Sequence, residues 1–198
     1  FPVFEKNPEL VFLDTAASAE KPKTVIQSVS NCYSNKYAKI HRGIYKLSTN
    51  LTDEFENVRS KTSKYINAES SDNIVFTKSA TEAINLVASC FSEKFLEKGD
   101  EVLLSYLEHH ANIVPWQIAA EKKGFKIVVI NISKEGKLDY DDMINKINSK
   151  TKLISITQMS NVLGTTVDMQ RVKEYATKLN IPFLIDGCQY IAHATVDV

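Results

Sequence analysis

Ile181-Pro182-Phe183-Leu184-Ile185-Asp186-Gly187-Cys188-Gln189 is the stretch on which the fold turns. Its apolar run does not alternate, as suits a strand buried on both faces, and it stops at a carboxylate. Upstream, Met169–Leu179 carries a helical pattern and Lys152–Thr157 reads as another strand. Further back, Tyr140–Asn148 reads as helix and Lys126–Ile130 as strand, with Ile127-Val128-Val129-Ile130 again unalternating. His110–Lys123 reads as helix, Glu101–Ser105 as strand, Thr81 to about Phe91 as helix, and Ile74–Thr77 as strand. Nearer the start, Leu51, Phe55, Val58, Thr62 and Tyr65 share a helix face, and Val25, Ile26, Val29 and Tyr33 do so after Pro22. Leu10–Leu13 is a sixth candidate strand. Strands separated by helices predict an α/β fold, a mostly parallel sheet with helices on both faces. Ligands of such sheets sit at the carboxyl ends of the strands, so the polar residues that follow each strand are the candidates.

Composition narrows the function classes. The 198 residues are 43% hydrophobic and 24% charged, enough for a sizeable core. Lys plus Arg is 24 and Asp plus Glu is 24, so charge makes no case for a nucleic-acid partner. No apolar run reaches the roughly 18–20 residues of a membrane helix. Cys32, Cys90 and Cys188 are scattered and outside metal-ligand spacing, which favours a reducing compartment and no metal site. No dinucleotide, P-loop or hydrolase-elbow motif is present. The 21 Lys, 3 Arg, 18 Ile and 14 Asn look like a coding bias. The chain opens Phe1-Pro2 without Met or leader, so either a targeting segment is removed or the chain is a piece of a longer one.

The strand ends carry the chemistry. After Ile74–Thr77, Ser79 and Glu82 form a capping box, which by itself only starts a helix. The same helix start could instead present its N–H groups to a phosphate, with the Thr81 hydroxyl assisting. After Glu101–Ser105 comes His109-His110, either solvated or placing one imidazole on a flat ligand. After Lys152–Thr157 comes Asn161, a turn residue or a hydrogen-bond donor to a ligand oxygen. After the last strand, Asp186 faces either the next helix's N-terminus or a buried cation such as a protonated ring nitrogen, with Gln189 three residues on. A phosphate cradle, an aromatic stacker, two amides and one carboxylate together match what pyridoxal phosphate needs.

At these residues the sequence resembles the class V aminotransferases of fold type I, and within them the SUF-type (group II) cysteine desulfurases. The resemblance is carried by Leu13-Asp14-Thr15-Ala16-Ala17-Ser18, Lys21-Pro22, His41-Arg42-Gly43-Ile44 and Thr81-Glu82-Ala83-Ile84-Asn85-Leu86-Val87-Ala88. It continues through Glu108-His109-His110-Ala111-Asn112-Ile113-Val114-Pro115-Trp116-Gln117, Ser160-Asn161-Val162-Leu163-Gly164-Thr165, Ile185-Asp186-Gly187-Cys188-Gln189 and Val196-Asp197-Val198. The resemblance implies an aspartate aminotransferase-like large domain, incomplete here. Residues 1–48 would be an N-terminal segment with a small-domain strand, a helix and an active-site turn. Residues 49–198 would be the N-terminal part of the cofactor-binding domain.

The resemblance also implies roles. Ala80 and Thr81 would bind the cofactor phosphate. His109 would stack on the ring as the catalytic residue, Asp186 would pair with the ring nitrogen, and Asn161 and Gln189 would contact the phenolate side. Ala16, His41 and Asn161 would lie by the substrate. The family converts L-cysteine to L-alanine, leaving an enzyme persulfide that passes to a SUF-pathway sulfur acceptor for iron–sulfur cluster assembly. A homodimer is implied, in a plastid-type organelle (apicoplast or chloroplast) or the bacterial cytoplasm. Selenocysteine lyase, another class V lyase or transaminase, and a catalytically silent scaffold are the alternatives. The family's cofactor-binding lysine, persulfide cysteine and substrate arginine have no counterpart here, so the chain reads as the first half of the enzyme. It is expected not to turn over cysteine alone. Cys188 stands at a usual alanine, and no neighbouring cation would stabilise its thiolate.

Overall fold

The computed structural model describes residues 1–198. By compactness the chain forms two units, residues 1–75 with 196–198, and residues 76–195. The boundary at 75/76 differs from the division at 48/49 implied by the resemblance, which would cut through α3 (Lys46–Tyr65).

The first unit holds α1 (Pro2–Lys6), α2 (Lys23–Asn31), which runs into a π turn over Cys32–Lys36, and α3. The end of the chain returns here: Val198 N–H donates to the Ile66 carbonyl at 3.1 Å, and Asn67 Nδ2 donates to Asp197 Oδ1 at 2.6 Å. The helix after Pro22 forms where its pattern predicts, yet its apolar stripe stays open, with Val29 52% and Tyr33 70% exposed. Leu10–Leu13, expected as a strand, is not one. It pairs with nothing, and Leu13 is 90% exposed. A strand exists only through a neighbour's ladder, and an apolar run without one stays irregular.

The second unit is an α/β layer structure. It contains α4 (Ala80–Phe95), β1 (Glu101–Ser105), α5 (Val114–Lys123), β2 (Lys126–Ile130), α6 (Tyr140–Lys146), β3 (Thr151–Thr157), α7 (Met169–Lys178) and β4 (Phe183–Asp186). All neighbouring strands are parallel, in the order β2-β1-β3-β4. Each crossover is a helix, as parallel pairing requires. Strand alternation sends Val102, Leu104 and Leu153 to one face, against Ala88, Trp116 and Ala119 of α4 and α5. Leu103, Ile154 and Ile156 go to the other, against Met143, Val172 and Ala176 of α6 and α7. Helices therefore cover both faces. α5 ends at Gly124 with φ +78°, a left-handed cap that an L side chain adopts only with strain. No helix is long and apolar enough to cross a membrane.

Two expectations about strands change. Ile127–Ile130 and Phe183–Ile185 read as doubly buried, but β2 and β4 are the edges, and Ile185 is 38% exposed. The doubly buried strands are β1 and β3, where Val102, Leu103 and Ile154 are wholly inside. Crossover order, which hydrophobicity does not encode, decides which strands end up central. Ile74–Thr77, expected as a strand, has extended backbone at Ile74 but pairs with no strand.

Candidate functional site

The chain leaves β1 toward β2 on one side, while β3 and β4 lie on the other. The crevice between β1 and β3 is thus a topological switch point, where ligands of parallel sheets bind at the carboxyl edge. The structure brings His109, Asn161, Asp186 and Gln189 to that edge of the sheet, each within five residues of the end of β1, β3 or β4. Two clefts of the unit lie away from this edge, about 310 Å³ between α4 and α5 and about 410 Å³ beside Thr151 and Pro182.

Asp186 ends β4 with only 9% of its surface exposed. Its Oδ1 accepts the Cys188 N–H at 3.0 Å, an Asx turn that precedes the 3-10 turn Tyr190–Ala192 and does not cap it, so the expected pairing with the next helix's N-terminus is not made. Its other oxygen accepts no hydrogen bond, and no lysine or arginine pairs with it. A nearly buried carboxylate without a cation is costly, and a cationic ligand would relieve that cost. Burial, then Asp186 itself, pushes the Cys188 thiol up, so it carries no thiolate for sulfur chemistry.

α4 opens with the capping box read from the sequence. Ser79 Oγ accepts Glu82 N–H at 3.2 Å, and Glu82 Oε2 accepts Lys78 N–H at 2.6 Å. The box leaves the N–H groups of Ala80 and Thr81 outside the helix ladder, at the positive end of the helix dipole. Ser79→Ala should cost about 1 kcal/mol of stability, read as a lower urea midpoint of the full-length protein. An unchanged midpoint would mean that the cap carries no weight.

His109 caps the 3-10 turn His110–Asn112, its Nδ1 accepting Ala111 N–H at 3.1 Å. With Nδ1 accepting, the neutral ring carries its proton on Nε2. The ring is exposed and edge-on to His110, with centroids 5.9 Å apart. Asn161 lies in the turn after β3, built by Ser160 Oγ accepting Val162 and Leu163 N–H at 3.3 and 3.2 Å. Its own exposed amide takes no part in that turn. Gln189 follows Asp186, half-buried, ahead of the 3-10 turn Tyr190–Ala192.

Ala16 and His41 belong to the first unit. Ala16 sits in an exposed turn closed by Ala17 N–H on the Asp14 carbonyl at 3.1 Å. His41 has φ +63°, its Nε2 is 3.3 Å from Glu56 Oε1, and its ring stands edge-on to Phe55 with centroids 5.7 Å apart.

Beneath the edge lies a buried polar network that the sequence reading passed over. Asn112 Oδ1 accepts both Trp116 Nε1–H at 3.1 Å and Ser155 Oγ–H at 2.6 Å, which turns its Nδ2 toward Glu108 Oε2 at 2.7 Å. Ser105 Oγ–H donates to Glu108 Oε1 while accepting Leu107 N–H. Burial pushes the Glu108 carboxyl up from 4.5 to about 7, against the Ser105, Asn112 and Thr157 hydrogen bonds, with Asp186 pushing the same way. An acid raised on folding contributes stability that is full below about 4.5 and is lost as pH rises through about 7. Glu108, Asn112 and Trp116 follow an i, i+4, i+8 spacing that marks one side of a turn and helix. The partner in β3 is 43 residues away, so spacing alone could not complete the set.

The residues at the edge suit one kind of guest. A flat cationic heterocycle would meet the unpaired Asp186 oxygen, its phosphate the α4 amides, its face the His109 ring. No three acidic, histidine or cysteine side chains converge as a metal site would need. Comparison with known proteins places the chain in a family. The aminotransferase class-V family model matches residues 11–198. A cysteine desulfurase of Serratia proteamaculans is 44% identical over 189 residues, covering 96% of this chain and 47% of its own. Among solved structures, a cysteine desulfurase from Thermococcus onnurineus superposes with a TM-score of 0.90 at 32% identity, covering 96% of this chain and 47% of its own. The desulfurase CsdA of Escherichia coli does so with 0.83 at 34%, covering 92% and 46%. The chain spans about half the length of the curated relatives it matches. With the fold and the match agreeing over nearly its whole length, this chain belongs to the class V aminotransferase family, whose members include pyridoxal-phosphate-dependent cysteine desulfurases.

Proposed function

We propose that the full-length protein is a pyridoxal-phosphate-dependent cysteine desulfurase of the SUF type (group II). It converts L-cysteine to L-alanine and hands the sulfur, as an enzyme persulfide, to an acceptor protein for iron–sulfur cluster assembly. The observation that carries this reading is Asp186: a carboxylate nearly buried at the end of β4, with one oxygen and no cation to itself. The relatives at 40–44% identity, each named a cysteine desulfurase, support the choice of reaction within the family. The string Glu108-His109-His110-Ala111-Asn112 supports the SUF type. A homodimer in a plastid-type organelle or the bacterial cytoplasm completes the proposal.

Pyridoxal phosphate, when bound, supplies an electron sink for bonds breaking at the substrate's α-carbon. The chain's own residues then divide the work. The Ala80 and Thr81 amides bind the phosphate at the start of α4. Asp186 holds a proton on the ring nitrogen, keeping the sink positive. His109 covers one ring face and carries a movable proton on Nε2. Asn161 and Gln189 orient the phenolate side, and Asn161 also serves the substrate; Ala16 and His41, in the first unit, carry substrate roles by the resemblance of their own motifs.

The test is the full-length protein with pyridoxal phosphate, assayed for alanine from cysteine and from selenocysteine. Alanine from cysteine, in step with sulfide under reducing conditions, is expected. Alanine from selenocysteine alone would make it a selenocysteine lyase, and no bound-cofactor absorbance at all would make it a scaffold. The 198-residue chain by itself should release none.

A further inference from the structure

We propose that Glu108 is a positioning residue for the cofactor site: it ties the His109 turn to β3 and, when ionised, adds a second negative charge behind Asp186 that strengthens the hold on a protonated ring. This rests on the cofactor reading of the preceding subsection.

Geometry makes the first part. Glu108 receives hydrogen bonds from Ser105 at the end of β1, from Asn112 at the end of the 3-10 turn, and from the Thr157 backbone at the end of β3. Asn112 is itself held by Ser155 of β3 and Trp116 of α5. His109 sits inside the loop that the Glu108–Asn112 bond closes, so its ring is aimed by a carboxyl it does not touch.

The second part follows from what surrounds that carboxyl. Thr157 is the shared neighbour of the two acids: its backbone serves Glu108, and it stands in register with Asp186, whose carbonyl accepts Thr157 Oγ1–H at 3.4 Å. Among ionisable groups, Asp186 on β4 faces Glu108, and the His109 imidazole adjoins it in the chain. β1, β3 and the turn before α5 present Ser105, the Thr157 backbone and Asn112, which do not titrate. Glu108 forms no ion pair, so nothing nearby cancels its charge when it ionises near neutral pH. Three donors stand ready for the carboxylate while burial resists it. That balance brings the change of charge into the range where the enzyme would work.

The experiment is the affinity of pyridoxal phosphate for the apo full-length protein from pH 6 to 8, with the midpoint of the bound cofactor's visible-band titration. Glu108→Gln keeps the shape and removes the charge. Relative to the variant, the wild type should gain about three- to tenfold in affinity as pH rises through 7, and the variant's spectral midpoint should fall. Ser105→Ala keeps the carboxyl but removes a donor to its ionised form, so the rise in affinity should move to higher pH. Superposed wild-type and Glu108→Gln curves would overturn the proposal. So would a Ser105→Ala curve unmoved from wild type, which also decides the matter if Glu108→Gln fails to fold. A wild-type protein that binds no pyridoxal phosphate overturns the cofactor reading itself, and this inference with it.

Discussion

Replacing Asp186 by alanine in the full-length protein is expected to lower alanine release from cysteine by about 10²-fold or more, the scale on which one charge-stabilising group is removed from an active site. The carboxylate has two duties in the structure. One oxygen closes the turn onto Cys188 N–H, and the other is left for a cation. Alanine removes both. Asp186→Asn separates them, because its amide oxygen can still accept from Cys188 while the charge is gone. If the charge is what matters, the asparagine variant loses as much activity as the alanine one, with an unchanged far-UV spectrum and melting curve. The bound cofactor's visible band should also shift, since the ring nitrogen would no longer be held protonated. An asparagine variant as active as wild type would show that Asp186 serves only the turn.

The largest effect on stability is expected at Trp116. Its side chain is wholly buried between α5 and the sheet, packed with Val102, Leu104 and Leu153, and its Nε1–H is bonded to Asn112. Trp116→Ala should cost about 3–5 kcal/mol, a loss of packing plus the cavity left behind. Trp116→Phe keeps most of the packing and gives up the hydrogen bond. Asn112 Oδ1 keeps its bond from Ser155, so that change should cost nearer 1 kcal/mol plus a small cavity. Urea unfolding of the full-length variants measures both. A loss below about 1 kcal/mol for Trp116→Ala would contradict close packing around the indole.

The two effects act on opposite sides of one network. Trp116 anchors Asn112 from the α5 face, and Asn112 and Glu108 hold the loop from which His109 emerges. Damage at Trp116 should therefore reach the cofactor site through the His109 loop, whereas Asp186→Asn should leave the core untouched. A double variant measures this coupling. Independent sites add within a few tenths of a kcal/mol, and neighbours in one network do not.

Local chemistry was legible without coordinates. The capping box of α4 needs only Ser79 and Glu82, three residues apart, and the structure forms it as read. Most helices were legible because a 3.6-residue period is local, though α1 was not, and the helix expected from His110 begins at Val114, after a separate 3-10 turn; the placing of polar residues after strands was legible too. That the chain is an α/β layer structure, with a carboxylate closing its last apolar strand and amides open at a helix start, follows from residues near one another in sequence.

Tertiary structure alone decided which strands are central. The most apolar runs, Ile127–Ile130 and Phe183–Ile185, became edges because the crossover from β1 goes one way and those from β2 and β3 go the other. It also left Leu10–Leu13 and Ile74–Thr77 without ladders, since pairing depends on a partner from elsewhere in the chain. Above all it joined Asn112, and through it Glu108, to Ser155, a hydrogen bond that offsets the cost of burying these polar groups and forms only after 43 residues of chain have closed around it.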